Sequence, residues 1–278
     1  RERPPMTATA SRPPTPAACA TPAGAPAKAA APAFAYEPTF QLGHDDTAYR
    51  LLSRDLVRTV DAAGRTLLEV DPQALQLLAR EAFRDVSFLL RPSHLASLRA
   101  MLDDPAASDN DKFVCYTHLQ NAVVSAAGEV PNCQDTGTAI VMGKKGRHVL
   151  TQGDDAAAIS EGVFDTYTQK NLRYSQLAPL SMFAEKNTAT NLPAQIDLYA
   201  ETAPGTEHEY KFLFIAKGGG SANKSYLYQQ TPAILNEKAL LDFVTAKLKD
   251  LGTAAGPPYH IALVIGGPSA QTNLQTVQ

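Results

Sequence analysis

Apolar residues recur with a helical period in several stretches and crowd into short β-branched runs in others. Leu75, Leu78, Ala79, Ala82, Phe83 and Val86 keep the i, i+3, i+4 spacing of one buried helix face. Asp71 offers an N-cap oxygen, and Pro72 suits the first helical position because its missing N–H has no partner to lose. Pro92 opens a second helix with Leu95, Leu98 and Leu102 on one side. Ser108 or Asp109 caps a third, on which Cys115, Leu119, Ala122, Val123 and Ala126 share a face. A fourth runs from Asp154 to Lys170 with Ile159, Val163 and Tyr167 inward. Asn236 caps a fifth, with Leu240, Phe243, Val244 and Leu251 inward and Gly252 as its stop. Tyr49 to Val60 also reads as helical.

The strand-like runs are Leu67 to Val70 after the Ala63-Gly64 turn, Thr138 to Met142, Ile196 to Ala200, Tyr210 to Ala216, and Tyr259 to Ile265. The Pro204-Gly205 turn region predicts an antiparallel hairpin between the third and fourth of these. Asn171 to Leu180 and Asn187 to Pro193 read as polar loops. Helices alternate with strands, and the hairpin argues against a purely parallel sheet. The pattern therefore predicts an α/β (α+β) domain, a mixed β-sheet flanked by helices, over residues 35–278.

Composition changes this picture at one end. Residues 1–34 are almost all Ala, Pro, Thr and Ser, without an apolar face to offset ordering entropy, and read as a disordered tail. Its lack of acidic residues between Glu2 and Glu37, with Arg3, Arg12 and Lys28, fits either an organelle transit peptide or a Pro/Ala-rich spacer. A net charge of −3 gives no reason to expect nucleic acid or an anionic membrane as partner. No apolar run is long enough to span a bilayer. The three cysteines, Cys19, Cys115 and Cys133, have no paired spacing, so a reducing, intracellular compartment is the simpler reading.

Candidate chemistry lies between Val130 and Gly143. Pro131 and Asn132 break the preceding helical pattern, which puts Cys133, Gln134 and Asp135 on a turn leading into the strand at Thr138. They supply a soft metal ligand, a neutral hydrogen-bonding group and a proton carrier; the alternative is one buried structural cysteine. Cys115 sits in an apolar stripe and is assigned to the core, and Cys19 lies in the tail. Lys217 to Ser225 follows a strand with three successive glycines, which let backbone amides approach an anion. It suits a carboxylate-binding turn or a plain glycine-rich bulge. As a phosphate loop it is incomplete: Asn223 stands at the final glycine, and Gly-Gly rather than aspartate follows His260 to Ile265. Arg173 is either a solvated surface charge or a fork for a carboxylate. Gly256, before Pro257, reads as conformational, and His260 as a satisfied strand histidine.

Taken together, Asn132 to Ala139, Asn171 to Gln176, Asn191 to Asp197, Lys217 to Ser225 and Leu251 to Gly267 resemble the iron–sulfur (class I) fumarate hydratases. More broadly they resemble the iron–sulfur hydro-lyases that include tartrate dehydratase. The resemblance covers residues 36–278 and corresponds to the N-terminal domain of the single-chain enzymes. It implies reversible hydration of fumarate to L-malate, with a [4Fe–4S] cluster held by three cysteines whose open iron acts as Lewis acid. Cys133 matches the first cluster cysteine, and Gly256 stands where the family has its second. Gln134, Asp135 and Arg173 match substrate-binding positions, with Asp135 as proton donor or acceptor. Gly220, Asn223, Lys224, Ser225, Tyr226, Leu227, Tyr228 and Gln229 match the stretch that wraps the dicarboxylate. Ala189 and Pro268 replace the usual Gly and Thr. The third cysteine and a second domain would lie beyond Gln278, so the chain reads as a fumarase fragment or variant, inactive alone. The resemblance also implies a homodimer, in the cytoplasm or alternatively in mitochondria. The competing readings are a cluster-free relative kept as a scaffold and a nucleotide-binding module.

Overall fold

The Ala63-Gly64 turn forms as its sequence dictates. Both residues have positive φ, 52° and 73°, the two-residue geometry that matches strand twist. It joins β1 (Val57–Ala62) to β2 (Arg65–Val70) in antiparallel register, Val57 opposite Val70. The helix expected over Tyr49 to Val60 is therefore not formed. The β-branched run from Val57 lies next to a hairpin turn, and ladder pairing overrides a weak helical period. In the computed structural model the described residues are 48–173, 175–252, 259, 261–266 and 269–277, all within the unit Asp46–Gln278. The expected tail over 1–34, Cys19, Tyr174, Gly256, His260 and Pro268 lie outside them.

Helix α1 (Pro72–Phe88) starts where predicted, with the Asp71 side chain accepting from the Gln73 amide. It buries Leu75, Ala79 and Phe83, but Val86 is exposed and Ser87 and Phe88 take the inner positions. Helix α2 (Pro92–Asp103) packs on α3 (Asp109–Ser125), whose cap is Ser108 in a reciprocal pair with Asp111. The inner side of α3 is set by Cys115 and Ser125. Val123 and Ala126, expected on it, are exposed, because the contacts of α3 with α2 and the end of α1 lie on the side of Cys115 and Ser125. β3 (Thr138–Gly146) and β4 (Val149–Thr151) follow, then α4 (Asp155–Gln169), capped by Asp154 and buried through Ile159, Val163 and Tyr167.

β5 (Leu177–Ser181) begins within the stretch Asn171 to Leu180 read as loop, and it makes a small hairpin with β6 (Ala184–Asn187). β7 (Gln195–Glu201) and β8 (Tyr210–Lys217) are strands, as expected, but they do not pair with each other. β3 lies between them, parallel to β7 and antiparallel to β8. Ala139, Ile140 and Val141 are consecutive and all buried, as in a central strand covered on both faces. β1, β2 and β4 form a second sheet. The mixed sheet flanked by helices is thus the observed fold class. A single turn, α5 (Gly219–Ala222), follows β8, then α6 (Glu237–Asp250) under its Asn236 cap and α7 (Ala270–Val277). The predicted last strand over Tyr259 to Ile265 is absent from the described residues there. Tyr259, Ile261, Leu263 and Ile265 are exposed, and among the described residues no strand pairs with them.

The core sits between α1, α4 and the β7-β3-β8 sheet. Phe83 meets Phe214 edge-on at 5.6 Å and Tyr167 at 6.2 Å between ring centroids. The candidate site lies at the end of β3 from which its chain enters, where Thr138 is opposite Lys217.

Candidate functional site

The turn that leads into β3 is anchored from three sides. Asn132 holds its start, donating from its amide to Ser87 O at 2.9 Å, while its carbonyl accepts from the Asn121 side chain at 2.6 Å. The Ser125 hydroxyl also donates to the Asn132 side-chain oxygen. At the middle, the Tyr167 hydroxyl donates to Thr136 O at 2.9 Å inside the core. Burial, with the nearby charge of Asp135, pushes this phenol well above its ordinary pKa, so it remains a donor. At the end, Asn191 is fully buried, donating to Gly137 O at 2.7 Å and accepting from Ala139 N at 3.2 Å.

Gly137 is a glycine for two reasons. Its φ is +73°, and a Cβ there would lie 2.5 Å from the Lys217 carbonyl carbon. That close approach brings the end of β8 against the turn and delivers the glycine loop to Asp135. The Asp135 carboxylate accepts from Gly219 N at 2.8 Å and lies 3.5 Å from Gly220 N. Its other oxygen lies 4.0 Å from an Arg173 guanidinium nitrogen. Cys133 is exposed, and its Sγ accepts from Asp135 N at 3.4 Å.

Of the residues singled out from sequence, Cys133, Asp135, Arg173 and Gly220 therefore meet at one place, with Gln134 exposed between the first two. Asn223 to Gln229 run onward from the loop, mostly exposed. Tyr226 stacks on Tyr228 at 5.8 Å, and Tyr228 packs edge-on against Phe243 of α6. These aromatics carry no described hydrogen bond to Asp135 or Arg173. Lys217 donates to the Ser221 hydroxyl at 2.6 Å, closing the glycine loop on itself. Three residues at the heart of the arrangement were given no role from sequence: Thr136, Tyr167 as a donor, and Asn191. Their one legible signal is polarity at positions flanked by core residues, which demands internal partners.

Chemically the arrangement offers a half-buried carboxylate beside an exposed guanidinium and two amides from a glycine turn. It can bind and orient a carboxylate and move a proton at Asp135. For an iron–sulfur cluster the donors do not suffice. Cys133 is the one thiol at this place among the described residues. Cys115 is buried in α3 with its sulfur 3.4 Å from that of Met101. No group of three His, Cys, Asp or Glu suited to a metal occurs among the described residues.

A family model described as Fumarate hydratase (Fumerase) matches residues 76–278. The chain belongs to the fumarate hydratase family. It is 56% identical over 239 residues to the anaerobic class I fumarate hydratase of Escherichia coli K12, covering 86% of this chain and 43% of that protein. It is 53% identical over 240 residues to the mitochondrial fumarate hydratase 1 of Leishmania major, with the same two coverages. The chain thus spans under half the length of these fumarate hydratases. Within this family the four converging positions, Cys133, Asp135, Arg173 and Gly220, all fall in the matched region. No helix among the described residues is long and apolar enough to cross a membrane.

Proposed function

We propose that this chain carries the dicarboxylate-binding part of a class I fumarate hydratase, which reversibly hydrates fumarate to L-malate. The observation that carries the reading is Asp135, poised between the Arg173 guanidinium at 4.0 Å and the Gly219 amide at 2.8 Å. Hydration adds a hydroxyl to one carbon of the double bond and a proton to its neighbour. Asp135 is the group here that can move a proton next to that bond, while Arg173 and the glycine turn hold a carboxylate. Gln134 and Asn223 to Gln229 are assigned to the same substrate by the family resemblance.

A [4Fe–4S] cluster is the cofactor that the resemblance implies, with Cys133 as its one ligand in this chain. Because Gly256 has no side chain to bind iron and Cys115 is committed to the core, the chain's own donors do not hold it. The same glycine favours a second reading, a cluster-free relative acting as a scaffold. A nucleotide site is disfavoured because Asn223 stands where a phosphate loop has its final glycine. A homodimer in the cytoplasm, or in mitochondria as the name of the Leishmania relative says of that protein, completes the proposal.

The test is anaerobic reconstitution with iron and sulfide, followed by the loss of fumarate absorbance. The chain alone is expected to give no turnover and no four-iron cluster. The full coding sequence carrying Gly256→Cys is expected to be active, and Asp135→Asn in it to lose turnover. A full, Gly256→Cys protein that binds neither fumarate nor L-malate would leave the scaffold reading standing.

A further inference from the structure

We infer that Thr136 is the positioning residue for Arg173: its hydroxyl tethers the arginine backbone beside Asp135, so that the guanidinium meets a substrate carboxylate. The inference rests on the dicarboxylate reading above. Among the described residues, the guanidinium's approach to Asp135 does not by itself fix Arg173. The side chain is 56% exposed, and its approach to Asp135 is 4.0 Å, beyond hydrogen-bond distance. Exposed pairs of this kind contribute little and are screened by water and salt.

The backbone of Arg173 is held much more firmly. Arg173 N donates to Thr136 Oγ1 at 2.9 Å, and the same hydroxyl donates to Arg173 O at 3.4 Å. One side chain thus grips both polar groups of the arginine's main chain. The preceding residue, Leu172, is buried and anchors the loop from the other side. Thr136 is 6% exposed, so water does not compete for its hydroxyl.

Thr136 is itself fixed from within the core. Its carbonyl accepts from Tyr167 on α4 at 2.9 Å, and its neighbours Asp135 and Gly137 are held by the glycine loop and Asn191. The path from α4 through Tyr167 and Thr136 to Arg173 is therefore continuous. It joins the proton carrier and the carboxylate fork through one residue directly after Asp135. A chain that placed the arginine by charge alone would have no use for a buried hydroxyl at this position.

The experiment uses the full coding sequence carrying Gly256→Cys and compares the wild-type residue at position 136 with Thr136→Val and Thr136→Ser, measuring kcat and KM for fumarate and L-malate. Hydrogen exchange at the Arg173 amide is followed in parallel. Valine keeps the shape and removes the hydroxyl, whereas serine keeps the hydroxyl. Thr136→Val is expected to raise KM about tenfold and kcat to change much less, with faster exchange at Arg173. Thr136→Ser is expected to restore KM and protection nearly to wild type. A wild-type KM in Thr136→Val, equal impairment in both variants, or a fall in kcat at unchanged KM overturns the inference. Unchanged Arg173 exchange in Thr136→Val overturns the tether alone. A Gly256→Cys protein with Thr136 intact that neither binds nor turns over fumarate or L-malate overturns the dicarboxylate reading and this role with it, whatever the exchange shows.

Discussion

Gly162 lies on the face of α4 that packs against α1, and replacing it with alanine sets two effects of opposite sign against each other. In a helix interior alanine is favoured over glycine by about 1 kcal/mol, because glycine loses more backbone entropy on folding. Against this, the new Cβ would sit 2.3 Å from the Gln76 carbonyl oxygen, 2.8 Å from Ala79 Cβ and 2.9 Å from Arg80 N. Two of these three atoms are backbone, so no side-chain rotation relieves the clash. The helices must separate, which loosens Ala79, Phe83, Ile159 and Val163 together and strains the Thr166 hydroxyl bond to Arg80 O at 3.0 Å. Overpacking of a rigid interface costs roughly 3 kcal/mol at the upper end of its usual range. The clash wins, leaving a net loss of about 2 kcal/mol. For a domain of this size that is a fall in Tm of about 4–8 °C. Thermal unfolding by circular dichroism checks it. A Tm at or above wild type would show that the α1–α4 contact is looser than described and that helix propensity decides.

Two further outcomes follow from buried polar groups. Tyr167→Phe keeps the ring and removes the donor to Thr136 O, leaving a buried carbonyl unpaired. Its stability in urea is expected to fall by about 1–3 kcal/mol, and an unchanged midpoint would refute the bond. Asp155 is desolvated, which raises its pKa, but bonds from Lys145, Thr151 and Tyr210 outweigh this and hold it below the ordinary carboxylate value. Its stabilising contribution is therefore present above an unfolded pKa of about 3.9 and lost as pH falls through the lower folded value. Lys145→Met removes the cation and is expected to move acid unfolding to higher pH, measured by fluorescence across a pH titration. An unshifted acid midpoint would count against the pairing.

What was legible in the sequence was local. Asp71 and Asn236 cap the helices they were expected to cap, and Ser108 rather than Asp109 caps the third, because a cap needs only its own next three residues. Asp154, expected as the first helical residue, is instead the cap, one position before the helix begins. The converging site was also legible, since its residues fall on turns between clear elements and matched a known motif order. Strand pairing was not, because it is a long-range choice. β7 and β8 are close in sequence but take opposite edges of β3, whose buried Ala139-Ile140-Val141 run lies at the centre of the sheet. β5 escaped notice because Pro179 reads against a strand, although an edge strand tolerates it. Thr136 and Tyr167 meet across 31 residues, and only the packed core shows that one hydroxyl serves the other's carbonyl.

The central claim is that Asp135, Arg173 and the Gly219-Gly220 amides form one dicarboxylate site. The direct measurement is an amide NMR titration of this chain with L-malate, with acetate as a monocarboxylate control. Saturable shifts at Gly219, Gly220 and Arg173 that acetate does not reproduce and Arg173→Gln abolishes are the expected result. Absence of such shifts, or the same response to acetate and in Arg173→Gln, would contradict the account.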